Sequence, residues 1–551
     1  MQLSQIKSYA SKNKAEIAAA LILLVVFAQL LFLIDYQSGV LDEQFYPGVG
    51  KYFVTNGDFS PFAFRYHPIL PYYINSLFLY FDGNPVWEHT PYSLSYIVEN
   101  GYDWNNLLLL TRLPIALVAL LLGFFIFRWA KELYGKKAAL FALLLYGFEP
   151  SILAHSSFAT TDLVAVAFIF IAMYYFWKLE KAPAIRSAAI GGFTLALALL
   201  SKNTALVLVP IVLFFFIWKY RKSVIALNNL KLIVLYFAIA FLVIWGAYGF
   251  QVSSVIDTVH SPEKALAFID QKYSGFQKDM IVAGFNAPIP ATAYVTTIGY
   301  NVWHSASGQG NFFLGKEGMH SEWYYFPVAF LVKSPIPLLI FLGLAIAGLA
   351  FRKRSLRLKD EKMLLAPIIV YSLFLMLALT LYIGIRHLLP IYPFLFVLAS
   401  PLVYYKLSSL SKQRMYKIAV AVLLIWYVAE AAFIFPHNLS YFNEFVGPEN
   451  AWKFFADTDV DWGQEVKELG RYMQRSGIST INFPEMLPYV YTKSYIDNYT
   501  FPSCTPANGL YAVTVTQLQL FIHKDCLSWL KSYTPVDKIG YSLFIYDVKD
   551  A

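Results

Sequence analysis

The sequence predicts a polytopic α-helical membrane protein of about 11 transmembrane helices, with a small extracytoplasmic α/β domain at its C-terminal end. Three observations predict it. The 551 residues are 58% hydrophobic and only 14% charged, with a mean hydropathy of +0.52, whereas soluble domains carry about 25% charged residues. Eleven stretches approach the ~20 apolar residues that a helix needs to cross hydrocarbon. Lys and Arg are spread unevenly over the connections between them. This composition excludes a disordered chain, a coiled coil, a collagen and a nucleic-acid-binding domain. The net charge of +8 is read as a membrane charge bias, so no nucleic-acid partner is expected.

The stretches run roughly over 17–34, 107–127, 138–154, 161–177, 185–200, 204–218, 231–250, 326–350, 363–383, 388–405 and 416–435. With the N-terminus in the cytoplasm, the inside segments are 1–16, 128–137, 178–186, 219–231, 352–362 and 406–417. They hold 24 of the 43 Lys and Arg, while the 35–106 loop holds only Lys51 and Arg65. This is the positive-inside pattern. It makes 1–435 a membrane module with outer loops 35–106 and 251–325, and it places 436–551 outside. The three N-terminal lysines precede an apolar run with no small-residue cleavage site before Asp35, so the first helix is expected to be retained.

The tail differs in composition. Strand-like runs at 511–515 and 542–546, with helix-like stretches at 462–475 and 516–531, predict the α/β domain. Cys504 and Cys526, the two cysteines, both lie in it; an outside location permits a disulfide between them. Two acceptor sequons, Asn438–Ser440 and Asn498–Thr500, fall on the same side.

Polar residues costly in apolar surroundings gather at the outer ends of the spans: Arg112, His155, Asp162, Lys202, Lys333, Arg386 and His387. Seven at one face define an outward-facing polar cavity. Asp42 and Glu43 open the first outer loop. Adjacent acids at a helix end point about 100° apart, so one at most faces a given reacting atom. His67 precedes Pro68 and is held extended. Asp162 suits a helix N-terminus. Lys333 lies beside Ser334-Pro335-Ile336-Pro337, where the helix is expected to be irregular. Arg386-His387, in an outer turn, has the chemistry to bind a phosphate. Asp457, Asp459 and Asp461 alternate ahead of Trp462-Gly463-Gln464 without the glycine or the glutamate of a calcium loop. Asp459, Asp461 and Gln464 are read as acceptor-binding or structural residues. There is no P-loop, no dinucleotide fingerprint, no G-x-S-x-G and no H-E-x-x-H. An outside cavity with acids at one point and cations at several suits transfer from an activated phosphate donor already held in the membrane.

Taken together, these stretches resemble the membrane glycosyltransferases of family 39 and their relatives with the GT-C fold, which include protein O-mannosyltransferases and lipid A aminoarabinose transferases. The match is carried by Asp42-Glu43, His67-Pro68, Phe148-Glu149-Pro150 with His155 and Asp162, Tyr325-Phe326-Pro327 with Lys333-Ser334-Pro335, and Gly384 to Pro390. Tyr441 to Glu444 and Asp459 to Gln464 resemble a prokaryotic branch. The resemblance covers about residues 17–470.

It implies a polyprenyl- or dolichyl-phosphate sugar (hexose, mannose or pentose) as donor, in a plasma membrane, with an inverting single displacement on the outer face. By position, Asp42 is then the general base and Glu43 its neighbour in acceptor binding. Arg112, Lys202, Lys333, Arg386 and His387 are the candidates to stabilise the leaving phosphate, with His67, His155 and Asp162 elsewhere in the site. No cofactor is required, and a divalent cation stays open. The 251–325 loop is too short for the β-trefoil insertion of eukaryotic protein mannosyltransferases, and the tail is unlike theirs. A protein, a glycolipid and a glycan therefore all remain as acceptors. The competing expectations are a secondary transporter and a membrane-anchored binding or scaffold protein.

Overall fold

The computed structural model describes residues 13–57, 67–81, 103–220, 227–258, 262–318, 322–350, 360–379, 382–485, 489–520 and 524–551. Each of the eleven apolar stretches is helical. Five helices are long and apolar enough to cross a membrane: Lys14–Tyr36, Trp104–Tyr134, Asp162–Lys181, Leu230–Ala247 and Leu410–Ile434. Two more spans result if bent pairs count as one: Lys136–Gly147 with Pro150–Ser156, bent by 67°, and Tyr325–Lys333 with Ile336–Ala350, bent by 115°. The remaining four, Ile185–Leu199, Asn203–Lys219, Lys362–Leu377 and Leu389–Tyr404, are shorter apolar helices.

The bends have local causes. Proline lacks an N–H and its ring disturbs the preceding turn. Pro150 opens the second helix of one pair. Ser334, with extended backbone, and Pro335 separate the helices of the other, at the irregularity the sequence predicts.

The chain forms two compact units. One comprises 1–43, 98–166 and 308–551; the other comprises 44–97 and 167–307. In the second, helices 185–199 and 227–247 approach so closely that a Cβ on Gly192 would lie 2.2 Å from the Tyr236 carbonyl oxygen. Small residues permit such backbone contact between apolar helices. In the first, Trp104–Tyr134 is capped by the Asp103 carboxylate, which accepts from the Asn106 N–H. It packs on its neighbours, with the Tyr146 hydroxyl donating to the Ala119 carbonyl at 2.7 Å.

The tail carries a five-stranded sheet of β1 (Ile481–Asn482), β2 (Tyr499–Thr500), β3 (Gly509–Thr514), β4 (Asp537–Ile539) and β5 (Leu543–Val548). The order is β2-β1-β3-β5-β4. β1 runs parallel to both neighbours, and β5 is antiparallel to β3 and β4. Helix Val466–Ser476 buries Val466, Leu469, Gly470 and Met473, one helical face. The expected helix over 516–531 is instead three short turns, Val515–Gln519, Lys524–Leu527 and Ser528–Ser532, the first ended by extended Leu520. The compact units do not part at 435, where the composition changes. The tail is grouped with 1–43 and 98–166, because segment 438–466 threads among those helices.

Cys504 and Cys526 form a disulfide across 22 residues. Closing a loop of that size contributes up to about 3 kcal/mol. Cys504→Ser/Cys526→Ser is expected to lower the midpoint of thermal unfolding in detergent. In the native protein a maleimide should label neither cysteine until a reductant is added.

Candidate active site

Asp42 and Glu43 lie in a single 3-10 turn, Leu41–Gln44, just beyond the first helix, and their side chains diverge as the helical spacing requires. Glu43 is fully buried. Its two oxygens accept from Arg112 Nε at 2.8 Å and Nη2 at 2.7 Å, and from the N–H groups of Ala159 at 2.6 Å and Val40 at 2.9 Å. Arg112 is equally buried. Its remaining donors reach the carbonyls of Ser38 at 2.6 Å, Gln37 at 3.1 Å and Ile34 at 3.3 Å. A guanidinium has five N–H donors, and here all five are engaged. In this structure Arg112, expected from the sequence at the donor phosphate, staples residues 34–43 to the second long helix. Glu43 is saturated in the same way.

Asp42 points the other way, with its side chain 28% exposed. Its Oδ2 accepts from Arg386 Nη1 at 2.8 Å. The same Nη1 lies 3.9 Å from Asp162 Oδ2, which is 3.9 Å from His155 Nδ1. The Arg386 guanidinium sits 4.6 Å above the Trp462 ring, and His155 and Phe158 pack on the same indole. A cation held over an aromatic face and between carboxylates has a fixed position. Burial opposes the Arg386 charge, but Asp42, Asp162 and Asp457 outweigh it and raise its pKa. Burial pushes the Asp457 carboxyl up to about 6, against the lowering effect of Arg386. A second carboxyl thus holds its proton close to neutrality beside the pair.

The turn bearing Arg386 is held from the tail. Asp459 Oδ1 accepts from the Ile385 N–H at 2.8 Å, and Oδ2 accepts from the Tyr325 hydroxyl at 2.6 Å. That hydroxyl in turn accepts from the Gly384 N–H at 2.9 Å. Gly384 has φ 87°, and a Cβ there would meet Thr458 Oγ1 at 2.2 Å, so only glycine fits. Lys333 is buried and donates to the carbonyls of Leu439, at 2.9 Å, and Asp459. It also faces Asp459 Oδ1 at 3.8 Å and the Phe442 ring at 4.6 Å. Three acceptors and a ring thus surround the Lys333 ammonium, which braces the tail segment in this structure.

Asp461 and Gln464 shape the next turn. Asp461 accepts from the N–H groups of Gly463 at 3.1 Å and Thr516 at 3.0 Å, and burial raises its pKa. Gln464 accepts from the Trp462 N–H at 2.7 Å and donates to the Val460 carbonyl and Ser542. His387 is buried in the Arg386 turn. Lys202, buried, and His67, 5.8 Å from the Tyr46 ring, belong to the second compact unit. Phe64 to Tyr66 lie outside the described residues. Among the described residues no three His, Cys, Asp or Glu side chains are grouped to hold a metal ion. Sequence reasoning missed the roles of Trp462, Tyr325 and Asp457. All three stand inside the motifs it quoted, but nothing in one sequence marks an aromatic as a platform or a brace.

Residues 104–245 match the family model described as dolichyl-phosphate-mannose-protein mannosyltransferase. The chain is thus similar, over that segment, to the group its motifs resemble. Among solved structures it is similar to ArnT from Cupriavidus metallidurans bound to undecaprenyl phosphate, at 14% identity over 97% of this chain and 98% of that one, with a TM-score of 0.47. It is also similar to the Archaeoglobus fulgidus oligosaccharyltransferase tethered to an acceptor peptide, at 12% identity over 96% and 73%, with a TM-score of 0.49. A third is AglB from Archaeoglobus fulgidus with an inhibitory peptide and a dolichol-phosphate, at 12% identity over 98% and 75%, with a TM-score of 0.47. Comparison with curated protein sequences finds no match.

Two outcomes follow from the geometry. Removing one partner of a buried ion pair costs about 3–5 kcal/mol, so Arg112→Met should not accumulate as folded protein, as read by monodisperse elution in detergent. Arg386→Met should elute as the wild type does. For Asp457 the folded pKa lies above the unfolded value, so the fold binds more protons at pH 4–6 and loses stability as pH rises through that window. Asp457→Asn should raise the unfolding midpoint at pH 7.5 and flatten its fall between pH 4 and 6.

Proposed function

We propose that this chain is a multi-pass plasma-membrane glycosyltransferase that moves a sugar from a polyprenyl-phosphate donor to an acceptor hydroxyl at the extracytoplasmic face. The observation that carries it is the partly exposed Asp42 carboxylate paired with Arg386 beside Asp162. The family-model match over 104–245 supports the reaction class. The Lys and Arg bias supports an eleven-span topology with the site and tail outside.

In the proposed reaction the acceptor oxygen attacks the anomeric carbon, and the bond to the phosphate oxygen breaks. One displacement inverts the anomeric configuration. Asp42 takes the hydroxyl proton as the new bond forms. Arg386 bonds Oδ2, which orients Oδ1 as the receiving atom. The polyprenyl phosphate leaves with added negative charge. Arg386 Nη2, which makes no hydrogen bond among the described residues, is the donor assigned to it, with His387 next in the same turn. No step is assigned to a divalent cation, and turnover in EDTA reads that requirement.

The test is sugar transfer from a panel of radiolabelled polyprenyl-phosphate sugars by purified protein, with wild type beside Asp42→Asn. Loss of a general base should lower the rate by about 10²–10⁴-fold. Full activity in the variant removes Asp42 from the role and passes it to Asp162 or Asp457. No turnover of any donor by the wild type would favour the transporter or the scaffold instead.

A further inference from the structure

The second compact unit carries a helix, Thr292–Ser307, whose polarity is reversed. Val295, Gly299, Val302, Trp303 and Ala306 fall on one face by helical spacing, and all are exposed. Val302 is 65% exposed and Trp303 60%. The polar residues turn inward instead. Thr297 is buried; its hydroxyl donates to Asn203 Oδ1 at 3.2 Å, and its carbonyl accepts from Asn203 Nδ2 at 3.0 Å. The Thr296 and Thr258 hydroxyls share a hydrogen bond at 2.6 Å, and the buried Thr292 hydroxyl donates to the Ser253 carbonyl at 2.7 Å. A helix lying on a protein core beside water has the opposite arrangement. We propose that this helix lies in the membrane interface, with its apolar stripe against phospholipid acyl chains. The proposal rests on the multi-pass reading of the chain and not on glycosyl transfer.

Two attachments set the height of the helix. Asn203 stands where the apolar helices Ile185–Leu199 and Asn203–Lys219 meet, so its bonds to Thr297 lie at the end of both. The other attachment is the exit of the span Leu230–Ala247. There the Ala291 N–H donates to the Gln251 carbonyl at 3.1 Å, and residues 252–253 pair antiparallel with 289–290. A junction of two apolar helices and the exit of a third mark the edge of the hydrocarbon. The exposed apolar surface does not stop at that edge. Phe241 and Leu242 are exposed on the span, and Phe250 and Val252 just beyond it. Val252 pairs with Pro290, two residues before the helix begins.

The composition of the helix suits that depth. Its 16 residues include no Asp, Glu, Lys or Arg, so entering the boundary strips no charge of water. The Trp303 ring lies 5.5 Å from that of Tyr300, which stacks on His304 at 6.0 Å and 28°. Trp and Tyr favour the headgroup level because each joins an apolar ring to a polar end. A protein partner is the other occupant such a stripe could take. Charges that would steer or select one are absent from the helix, and the stripe adjoins the end of a span whose own apolar side chains are exposed. Both facts favour lipid.

The test is power-saturation EPR on the full-length protein in phosphatidylcholine nanodiscs. Cys504 and Cys526 are joined, so one introduced cysteine takes the nitroxide label alone. Labels at Val295→Cys and Val302→Cys are compared with Leu242→Cys on the span and Asp550→Cys at the exposed end of the tail. Labels at 295 and 302 should relax with dissolved oxygen, as at 242, and should be shielded from a water-soluble nickel chelate that reaches 550. Adding Val302→Asp should shift the label at 295 toward the nickel chelate. Val302→Ala keeps the face apolar and should leave that label in lipid, which separates lost insertion from a folding defect. Nickel access at both 295 and 302 in the otherwise unaltered chain would mean that water covers the stripe, and would overturn the proposal. Shielding from oxygen and nickel alike would mean a protein covers it, and would overturn it equally. Sugar transfer does not enter these readings, so failure of the enzyme assignment leaves them standing.

Discussion

Five N–H groups of one arginine hold the chain that leads into the site. Arg112 fixes the carbonyls of Ile34, Gln37 and Ser38 and both oxygens of Glu43, so residues 34–43 have one path. A buried pair of this kind is weak evidence for stability, because desolvation offsets much of the attraction. What it secures is register. With Glu43 locked inward, the side chain before it must emerge elsewhere on the 3-10 turn, and Asp42 is delivered to Arg386. A shift by one residue would bury the proposed base and expose its structural neighbour.

The other half of the site comes from more than 400 residues away. Ser38 donates to the Gly463 carbonyl at 2.6 Å and accepts from the Val466 N–H at 3.1 Å. Trp462 lies under Arg386, and Asp459 holds the Gly384–Ile385 backbone. The tail is therefore a wall of the site rather than an appendage to the helices. Buried polar networks hold a unique arrangement only when every member is satisfied. Damage at Asp459, Tyr325 or Gly384 should reach Arg386 without touching it.

The helices were legible because hydrophobic runs and charge bias are local properties of the sequence. Each apolar stretch is helical, and the bend beside Lys333 was signalled by Ser334-Pro335. The division into two compact units follows packing, whereas composition marks where a chain leaves the hydrocarbon. The broken 516–531 segment failed for a related reason: its apolar spacing suits a helix, but tertiary contacts draw on it in pieces. At the site, the divergence of Asp42 and Glu43 followed from helical geometry alone. The opposite fates of Arg112 and Arg386 did not. Both are arginines at an outer end of an apolar stretch, and only the arrangement of carbonyls around each tells a staple from a partner of the exposed acid.

That sorting of the cations constrains the proposed chemistry. Arg112 and Lys333 already satisfy buried acceptors, so drawing either toward a phosphate would leave carbonyls and carboxylates unpaired in a low-dielectric interior, at a cost of several kcal/mol. Arg386 is less committed: it bonds the Ile383 carbonyl and the partly exposed Asp42, with Asp162 and Asp457 as further acidic neighbours. One guanidinium then serves two charges that change in opposite senses during transfer. Asp42 loses its negative charge as it takes the proton, while the leaving phosphate gains one. As the pull of Asp42 on Arg386 weakens, the pull of the phosphate grows, and the cation over Trp462 need not move to follow the charge. A preorganised cation that answers a developing charge without reorganising is the least costly form of electrostatic catalysis, and it explains why this arginine is fixed by an aromatic face and a braced turn instead of by saturated hydrogen bonding.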